Sequence, residues 1–424
     1  MHLTDEQQAI LDGRQGELLR KTMETLVRYG EVYEADRMVE LDGPVQLVCS
    51  FAMAPLRPFF KILREFKEAG IKTKLPFTAD PRPMDFENLR FHGNTVEETV
   101  YKKLYSMQPE YEELLKSVGL KDQDAFSCAC YFDEIGNTPS YGDRLAWAES
   151  SAVVYANSVL GARTNRNSGV IEIFSGILGL TPNFGFMTDE GRKADWVIEL
   201  KTSKMPRPQI LGSAIGFKVM EKVPYIKGLD QYLGTDIDQK AKDYLKDMGA
   251  ATASNGAVGL YHVENLTPEA REHGEALIKE GAQTYVIDDA ELERVRNSYP
   301  VLWKYEHAIP YKAFIGCPHC SYDQLIQWAQ KFEEALKRHG RKRIAVDTII
   351  CSAPAVIRRF KETSYYENLT KIGVEIGGVC PLMRVSGMDG VPVITNSNKL
   401  RTYSKARYLD DDELVDVIVT GGGL

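Results

Sequence analysis

The segment that decides the fold class is Ala313-Phe314-Ile315-Gly316-Cys317-Pro318-His319-Cys320. Its first three residues form a short apolar run that is typical of a buried strand, and apolar side chains recur at helical spacing over 322–338. Similar strand-like runs alternate with helical segments along the chain, at 45–49, 71–75, 196–200, 284–287 and 391–394. Because alternation of strands and helices is the pattern of parallel α/β architecture, the sequence predicts an α/β fold throughout.

Composition narrows the class of protein further. The chain has 424 residues, of which 43% are apolar and 26% are charged, as in ordinary globular proteins. At roughly 150 residues per domain this length indicates about two to four domains. The net charge of -8 has the wrong sign for neutralising nucleic-acid phosphates, so we expect no nucleic-acid partner. No segment approaches the roughly 20 consecutive apolar residues of a spanning helix, and no signal-peptide pattern opens the chain, so we expect a cytoplasmic protein without a membrane partner.

Cysteines mark a candidate site. The chain carries 7 of them, an odd number that does not suit a disulfide framework in a reducing compartment. Cys317 and Cys320 form a C-x-x-C pair at the C-terminal end of a predicted strand, where α/β sheets place ligand sites. That spacing alone is compatible with zinc, a redox pair or an iron site. Cys128 and Cys380 lie in predicted loops, and a thiolate-held cluster gathers cysteines from distant loops, so each segment could supply one thiol.

A second candidate is the polar block at 147–166. Its predicted helix carries Glu149, Ser150 and Asn157 within two turns. After Gly161, which would end the helix, a loop carries Arg163, Asn165 and Arg166. Guanidinium groups bind carboxylate and phosphate oxygens in pairs, so the block suits an anionic ligand. The alternative interpretation is a capped helix followed by surface arginines.

These residues carry a resemblance to a known family. The sequence resembles the large subunit, or catalytic part, of the aconitase X hydro-lyases in several motifs that span nearly the whole chain: Leu3-Thr4-Asp5-Glu6, the block 148–166, Thr181-Pro182-Asn183, Gly316-Cys317-Pro318-His319, and Thr395-Asn396-Ser397 with Lys399. The resemblance implies three α/β domains around an iron–sulfur centre. It also implies a small swivelling domain that closes the site, which we expect on a separate small subunit because this chain ends too early to contain it. We expect residues 1–424 to form one catalytic region with approximate lobes at 1–125, 126–335 and 336–424.

The resemblance also implies roles for individual residues. The iron–sulfur cluster, or a mononuclear iron, would be held by Cys128, Cys317 and Cys380, while ligation by Cys130 or Cys320 stays open. Catalytic roles fall to Ser50, Thr78 and Lys399. Substrate binding falls to Glu149, Ser150, Asn157, Arg163, Asn165, Arg166 and Ser397. In the aconitase superfamily the swivelling domain supplies a serine as the base, so we expect the chain to need its small-subunit partner for activity.

The implied activity is dehydration of a small hydroxy acid. The first prediction for the substrate is cis-3-hydroxy-L-proline, and the alternatives are 5-phosphomevalonate or another hydroxy acid. The chain departs from the family pattern at 49–52, and it has Phe77-Thr78-Ala79-Asp80-Pro81 where the family has Thr-Thr-Leu-Asn-Pro, so we expect altered substrate contacts. From a different class, a non-catalytic iron–sulfur sensor or a structural subunit stays open.

Overall fold

The architecture is a mixed α/β fold built on parallel sheets, as the sequence predicts. A computed structural model describes residues 1–48, 57–89, 95–385 and 390–422. The strands, in chain order, are β1 (Met38–Glu40), β2 (Gln46–Leu47), β3 (Thr78–Ala79), β4 (Leu180–Pro182), β5 (Ala194–Lys201), β6 (Pro224–Lys227), β7 (His262–Val263), β8 (Ile278–Asp288), β9 (Lys312–Cys320), β10 (Asp347–Ser352), β11 (Val374–Gly377), β12 (Val393–Thr395) and β13 (Arg407–Tyr408).

Helices cover these sheets and connect their strands. In chain order they are α1 (Asp5–Leu11), α2 (Glu17–Val32), α3 (Arg57–Glu68), α4 (Thr95–Leu104), α5 (Gln108–Val118), α6 (Ser150–Ser158), α7 (Gly169–Leu178), α8 (Pro208–Val219), α9 (Asp230–Leu233), α10 (Gln239–Gly256), α11 (Pro268–His273), α12 (Asp289–Asn297), α13 (Tyr322–His339), α14 (Pro354–Phe360), α15 (Ser364–Ile372), α16 (Pro381–Val385), α17 (Asn398–Tyr403) and α18 (Asp411–Thr420). No helix in the described part of the chain is long and apolar enough to cross a membrane.

The largest sheet positions the cysteines. Its five strands are all parallel, in the order β11-β10-β9-β12-β13. The central strand β9 is buried along its whole length, which explains its apolar first half. Because parallel strands bring their carboxyl ends to one edge, the residues in the last half of β9 and those that follow β11 and β12 meet there. Cys317, Cys380 and Lys399 are thereby brought to one edge of the sheet.

A second parallel sheet, of order β7-β6-β5-β8, lies under helices α8 and α10. These two helices cross closely, since a Cβ on Gly256 would stand 2.0 Å from the carbonyl oxygen of Gly216. Only glycine permits backbones to approach so far. The crossing brings the ends of both helices, at Met220 and Ala257, to the same rim as the edge of the first sheet.

The amino-terminal part contains a small βαβ unit, as the strand-like runs predict. Strands β2 and β3 are parallel, with Gln46 opposite Thr78, and α3 lies between them in the chain. The predicted second strand at 71–75 is wrong, because the strand that follows α3 and pairs with β2 is Thr78–Ala79. The unit matters for function because it delivers the residues after β3 to the edge where the cysteines lie.

Candidate active site

A cavity of about 710 Å³ opens where the sheet edge, the βαβ unit and the ends of α8 and α10 meet. Its walls include the following predicted site residues: Cys128, Glu149, Ser150, Arg166, Cys317, Cys380 and Lys399. These residues come from segments far apart in the sequence. The structure therefore brings together the three thiols and the polar block's first helical turn, as the resemblance implies.

The three thiols enter the cavity from three separate segments, strand β9 and two loops. Cys317 is buried at the end of β9, while Cys128 and Cys380 are partly buried. Burial raises the pKa of each thiol, to about 12 for Cys380, because a thiolate is poorly solvated there. Loading with a cationic group would favour the thiolate instead.

The residues present fit an iron–sulfur cluster. In the described ranges, no group of three or more His, Cys, Asp or Glu side chains gathers closely enough to hold one metal ion. The thiolates of a cluster bind different iron atoms, so three spaced thiols suit a cluster better than a single ion. One buried oxygen of the cavity wall, Oδ1 of Asp80, has no hydrogen-bond partner within the described chain. An unpaired buried polar atom is costly, so a polar ligand in this cavity would stabilise it.

A buried ion pair forms one wall of the cavity. The ammonium of Lys399 donates to Oε1 of Glu149, and the two side chains are 10% and 5% exposed. Glu149 also caps α6, since its Oε2 accepts from the Ala152 amide at 2.7 Å and from the Ser151 hydroxyl at 2.6 Å. Burial alone would raise the pKa of Glu149, but Lys399 lowers it below its ordinary value. Both groups are therefore charged at neutral pH.

Asp80 supplies a second carboxyl to the same cavity, directly after β3. Burial raises its pKa well above the ordinary range, and the nearby Glu149 carboxylate raises it further. Two neighbouring carboxyls with opposite pKa shifts can serve as a charged and an uncharged group at the same pH. Asp80 is therefore suited to donate a hydrogen bond to a ligand, and Glu149 is not.

Arg166 is the one exposed arginine among the described residues of the cavity wall. No carboxylate in the described part of the chain forms a salt bridge with it. The other acidic group at this rim, Glu221, stands 3.9 Å from Lys222. The guanidinium of Arg166 is consequently free to bind an anion.

Several predicted site residues do not reach this cavity. Arg163 forms a salt bridge with Asp189 at 2.6 Å, and Asn165 bonds the backbone of Phe184 and of Phe186. Asn157 donates to the carbonyls of Thr164 and Gly259. These three residues hold backbone segments in place, so their predicted substrate contacts have no support from their positions.

Two more predicted residues, Thr78 and Ser397, lie near the site without lining it in the described structure. Thr78 is fully buried, donates to Gln46 and accepts from Asn137 at 2.7 Å. The Ser397 hydroxyl donates to the Cys317 carbonyl and caps α17. Ser50 lies outside the described residues, so its predicted catalytic role stays a prediction.

Two residues of the cavity wall, Asp80 and His319, have no role predicted from the sequence. His319 is fully buried, and burial lowers its pKa to about 4, so the ring is neutral. Its position in the Gly316–His319 motif was the available signal. In the sequence, Asp80 is only a carboxyl near the end of a predicted βαβ unit. That it is buried without a hydrogen-bond partner for Oδ1 depends on the tertiary fold.

Three family models match the chain in order. The model for the aconitase X first domain matches residues 1–190, that for the second domain matches 193–297, and that for the third domain matches 312–411. A solved structure of aconitase X from Thermococcus kodakaraensis, in its holo-form, superposes with a TM-score of 0.81 at 30% identity, covering 98% of this chain and 99% of that one.

Curated relatives carry two different substrate names. The phosphomevalonate dehydratase large subunit of Thermococcus kodakarensis is 32% identical over 97% of this chain and 98% of its own length. That of Methanocaldococcus jannaschii is 29% identical over 95% of each chain. The cis-3-hydroxy-L-proline dehydratase of Hypocrea jecorina is 26% identical over 96% of this chain but 64% of its own length.

Proposed function

Since the chain belongs to the aconitase X family of dehydratases, we propose that it is the large subunit of a two-subunit hydro-lyase whose substrate is phosphomevalonate. The sequence alone predicts cis-3-hydroxy-L-proline as the first substrate and phosphomevalonate as an alternative. Support for the alternative comes from the relatives named phosphomevalonate dehydratase, which match over nearly their full length at higher identity. The small-subunit partner is proposed from the same names.

The observation that carries the choice of substrate is the unpaired Arg166 at the cavity. Phosphomevalonate has a carboxylate at one end and a phosphate at the other, so it needs cationic or donor groups at two places. Lys399 is already matched by Glu149, which leaves the Arg166 guanidinium as the group suited to the phosphate. A hydroxyproline has one anionic group and an ammonium, so it makes less use of a free cation than a substrate with two anionic groups does.

The reaction breaks a C–O bond to the hydroxyl and a C–H bond on the neighbouring carbon, forms a C=C bond between the two carbons and releases water. Cys128, Cys317 and Cys380 would hold an iron–sulfur cluster, which when bound would supply a Lewis acid for the departing hydroxyl. The chain's own residues bind and orient the substrate. Asp80, whose buried Oδ1 lacks a hydrogen-bond partner in the described chain, is the carboxyl placed to hydrogen-bond a polar group of the substrate.

Removal of the proton needs a base with a raised or ordinary pKa and an accessible lone pair. Glu149 does not suit this role because its oxygens accept from Lys399, Ser151 and Ala152. We therefore assign the base to the partner subunit. A positioned base contributes roughly 10²–10⁴-fold to a rate, so the isolated large subunit should bind substrate but turn it over slowly.

A substrate comparison with matched variants tests the proposal. The large subunit, co-purified anaerobically with the small subunit from the same genome, is assayed with phosphomevalonate and with cis-3-hydroxy-L-proline. We expect turnover of phosphomevalonate only, and we expect Arg166→Lys to raise its KM about tenfold or more. Arg163→Lys is the control, because Arg163 pairs with Asp189 away from the cavity. Turnover of hydroxyproline alone, or equal KM values for both variants, would overturn the proposal.

A further inference from the structure

His319 touches the segments that carry all three cysteines of the proposed cluster. Its Nδ1 lies 3.1 Å from the hydroxyl of Ser127, which precedes Cys128. Its Nε2 lies 3.2 Å from the carbonyl oxygen of Val379, which precedes Cys380. The histidine itself follows Cys317 by two residues on β9. We infer that His319 is a positioning residue that fixes the Cys128 and Cys380 loops to β9 through the two opposite nitrogens of one neutral ring.

The direction of each hydrogen bond follows from the partners. A backbone carbonyl only accepts, so Nε2 carries the proton and donates to Val379. Nδ1 of a neutral ring then accepts, and the Ser127 hydroxyl donates to it. The Ser127 oxygen in turn accepts from the Ala129 amide at 3.0 Å, which closes a turn around Cys128. Every polar atom in this relay has a partner suited to it, and the relay runs in one direction.

The backbone of His319 is anchored as firmly as its ring. Its amide donates to Sγ of Cys128 at 3.3 Å, and its carbonyl accepts from the ammonium of Lys246 at 3.0 Å. Lys246 is itself buried and also bonds Gln324 and Asp247. The backbone of His319 is therefore fixed by its own hydrogen bonds, so the ring holds both loops at a fixed position relative to β9.

A cluster whose cysteines come from remote loops needs those loops to be held at a fixed distance from each other. Neither the Cys128 loop nor the Cys380 loop belongs to a strand at its cysteine, so each would otherwise be held mainly by local turns. A single ring bonded to both makes their separation depend on rigid ring geometry. Ligand orientation by hydrogen bonds behind the first coordination shell is a general requirement of metal sites.

Two substitutions of His319 test its hydrogen bonds to Ser127 and to Val379 separately. The side-chain amide of Asn can occupy the place of Nδ1, whereas that of Gln can reach the place of Nε2. His319→Asn should therefore keep the Ser127 bond and lose the Val379 bond. His319→Gln should do the opposite. Amide hydrogen exchange in the metal-free chain, read by mass spectrometry over 127–130 and 379–382, reports each loop separately.

We expect exchange about five- to tenfold faster at 379–382 alone in His319→Asn, and at 127–130 alone in His319→Gln, as loss of one hydrogen bond implies. Ser127→Ala should reproduce the His319→Gln pattern without altering the histidine. His262→Asn is the matched control, since His262 is similarly buried on β7, bonds the Arg192 carbonyl and faces Glu269 at 3.8 Å, all within the second sheet region. No change in either loop, or equal loosening of both by every variant, would overturn the inference.

Iron loading gives a second readout and separates this inference from the proposed function on which it rests. After anaerobic reconstitution, both His319 variants should bind less iron per chain and show an altered visible spectrum, while His262→Asn matches the unsubstituted protein. Failure of the unsubstituted chain to bind iron would count against the proposed function alone. Selective loosening of the loops in the metal-free chain would still support the positioning role.

Discussion

Breaking the buried Lys399–Glu149 ion pair should lower the free energy of unfolding more than breaking an exposed surface ion pair would. We consider Lys399→Met, which keeps most of the side-chain volume and removes the ammonium. The Glu149 carboxylate is then left buried with its bonds from Ser151 and Ala152 but without a counter-charge. Because the side chains are 10% and 5% exposed, solvent screening compensates little of the loss.

The magnitude follows from that burial. Removing one partner of a buried ion pair costs about 3–5 kcal/mol, against roughly 0.2–1 kcal/mol for an exposed pair. Three remaining hydrogen bonds on Glu149, including a long one of 3.4 Å from the Ser150 hydroxyl, place the expected loss near the lower end, at about 3 kcal/mol. The double variant Lys399→Met with Glu149→Gln buries no charge, so it should be more stable than Lys399→Met alone. We expect a coupling energy of about 2 kcal/mol.

The effect should depend on pH in a defined direction. In the unsubstituted protein Lys399 lowers the pKa of Glu149, so the pair stabilises the fold above the unfolded pKa of about 4.3 and is lost as pH falls through the folded value. In Lys399→Met, protonation of the buried Glu149 carboxyl removes an unpaired charge and therefore raises the free energy of unfolding. The difference between the two proteins should therefore shrink as pH falls from about 8 towards 5. Urea denaturation of the metal-free chains at several pH values measures it; a loss under 1 kcal/mol, or an additive double variant, would refute the reasoning.

Three further outcomes follow from the same site. Burial raises the pKa of Asp80, so its carboxyl stabilises the fold fully only below the unfolded pKa of about 3.9 and destabilises it progressively as pH rises. Near pH 8, Asp80→Asn should therefore raise the free energy of unfolding by about 1–3 kcal/mol over the unsubstituted chain, as measured by urea denaturation. Arg166→Met should weaken binding of phosphomevalonate in calorimetry at least tenfold with an unchanged melting temperature, whereas Arg163→Met should leave binding unchanged. Gly316→Ala should cost about 2–5 kcal/mol, since Gly316 has φ +91 and a Cβ would lie 2.2 Å from the Cys351 carbonyl oxygen; a loss below 1 kcal/mol would contradict the geometry.

Much of the fold could be predicted because hydrophobic periodicity is a local property. The run before Cys317 forms a strand in the central sheet, and 322–338 lies within α13. The parallel arrangement followed from strands alternating with helices, and the aconitase X resemblance is confirmed by the family models and the superposed structure. The second strand of the βαβ unit was placed too early, because 71–75 has the composition of a strand but its neighbours in space lie elsewhere.

The site could be predicted only where a residue's function depends on its position along the chain. Cys128, Cys317 and Cys380 follow recognisable motifs, and they line one cavity. The roles of Asp80 and His319 depend on what surrounds them after folding, since a carboxyl without a partner and a ring bonded to two loops are properties of tertiary contacts. No pattern along the sequence records either property.

The polar block at 147–166 shows why a dense polar motif need not bind substrate along its whole length. Its first turn places Glu149 at the cavity, but Asn157 in its middle bonds the Gly259 carbonyl and accepts from the buried Arg192. Those contacts join the first family-model region to the second, so the motif also fixes how the two meet. A parallel bridge between residues 147 and 166 then returns the end of the block to its beginning, which is why Arg166 reaches the cavity while Arg163 does not. Substitutions in the middle of the block should accordingly change stability, and substitutions at its two ends should change substrate binding.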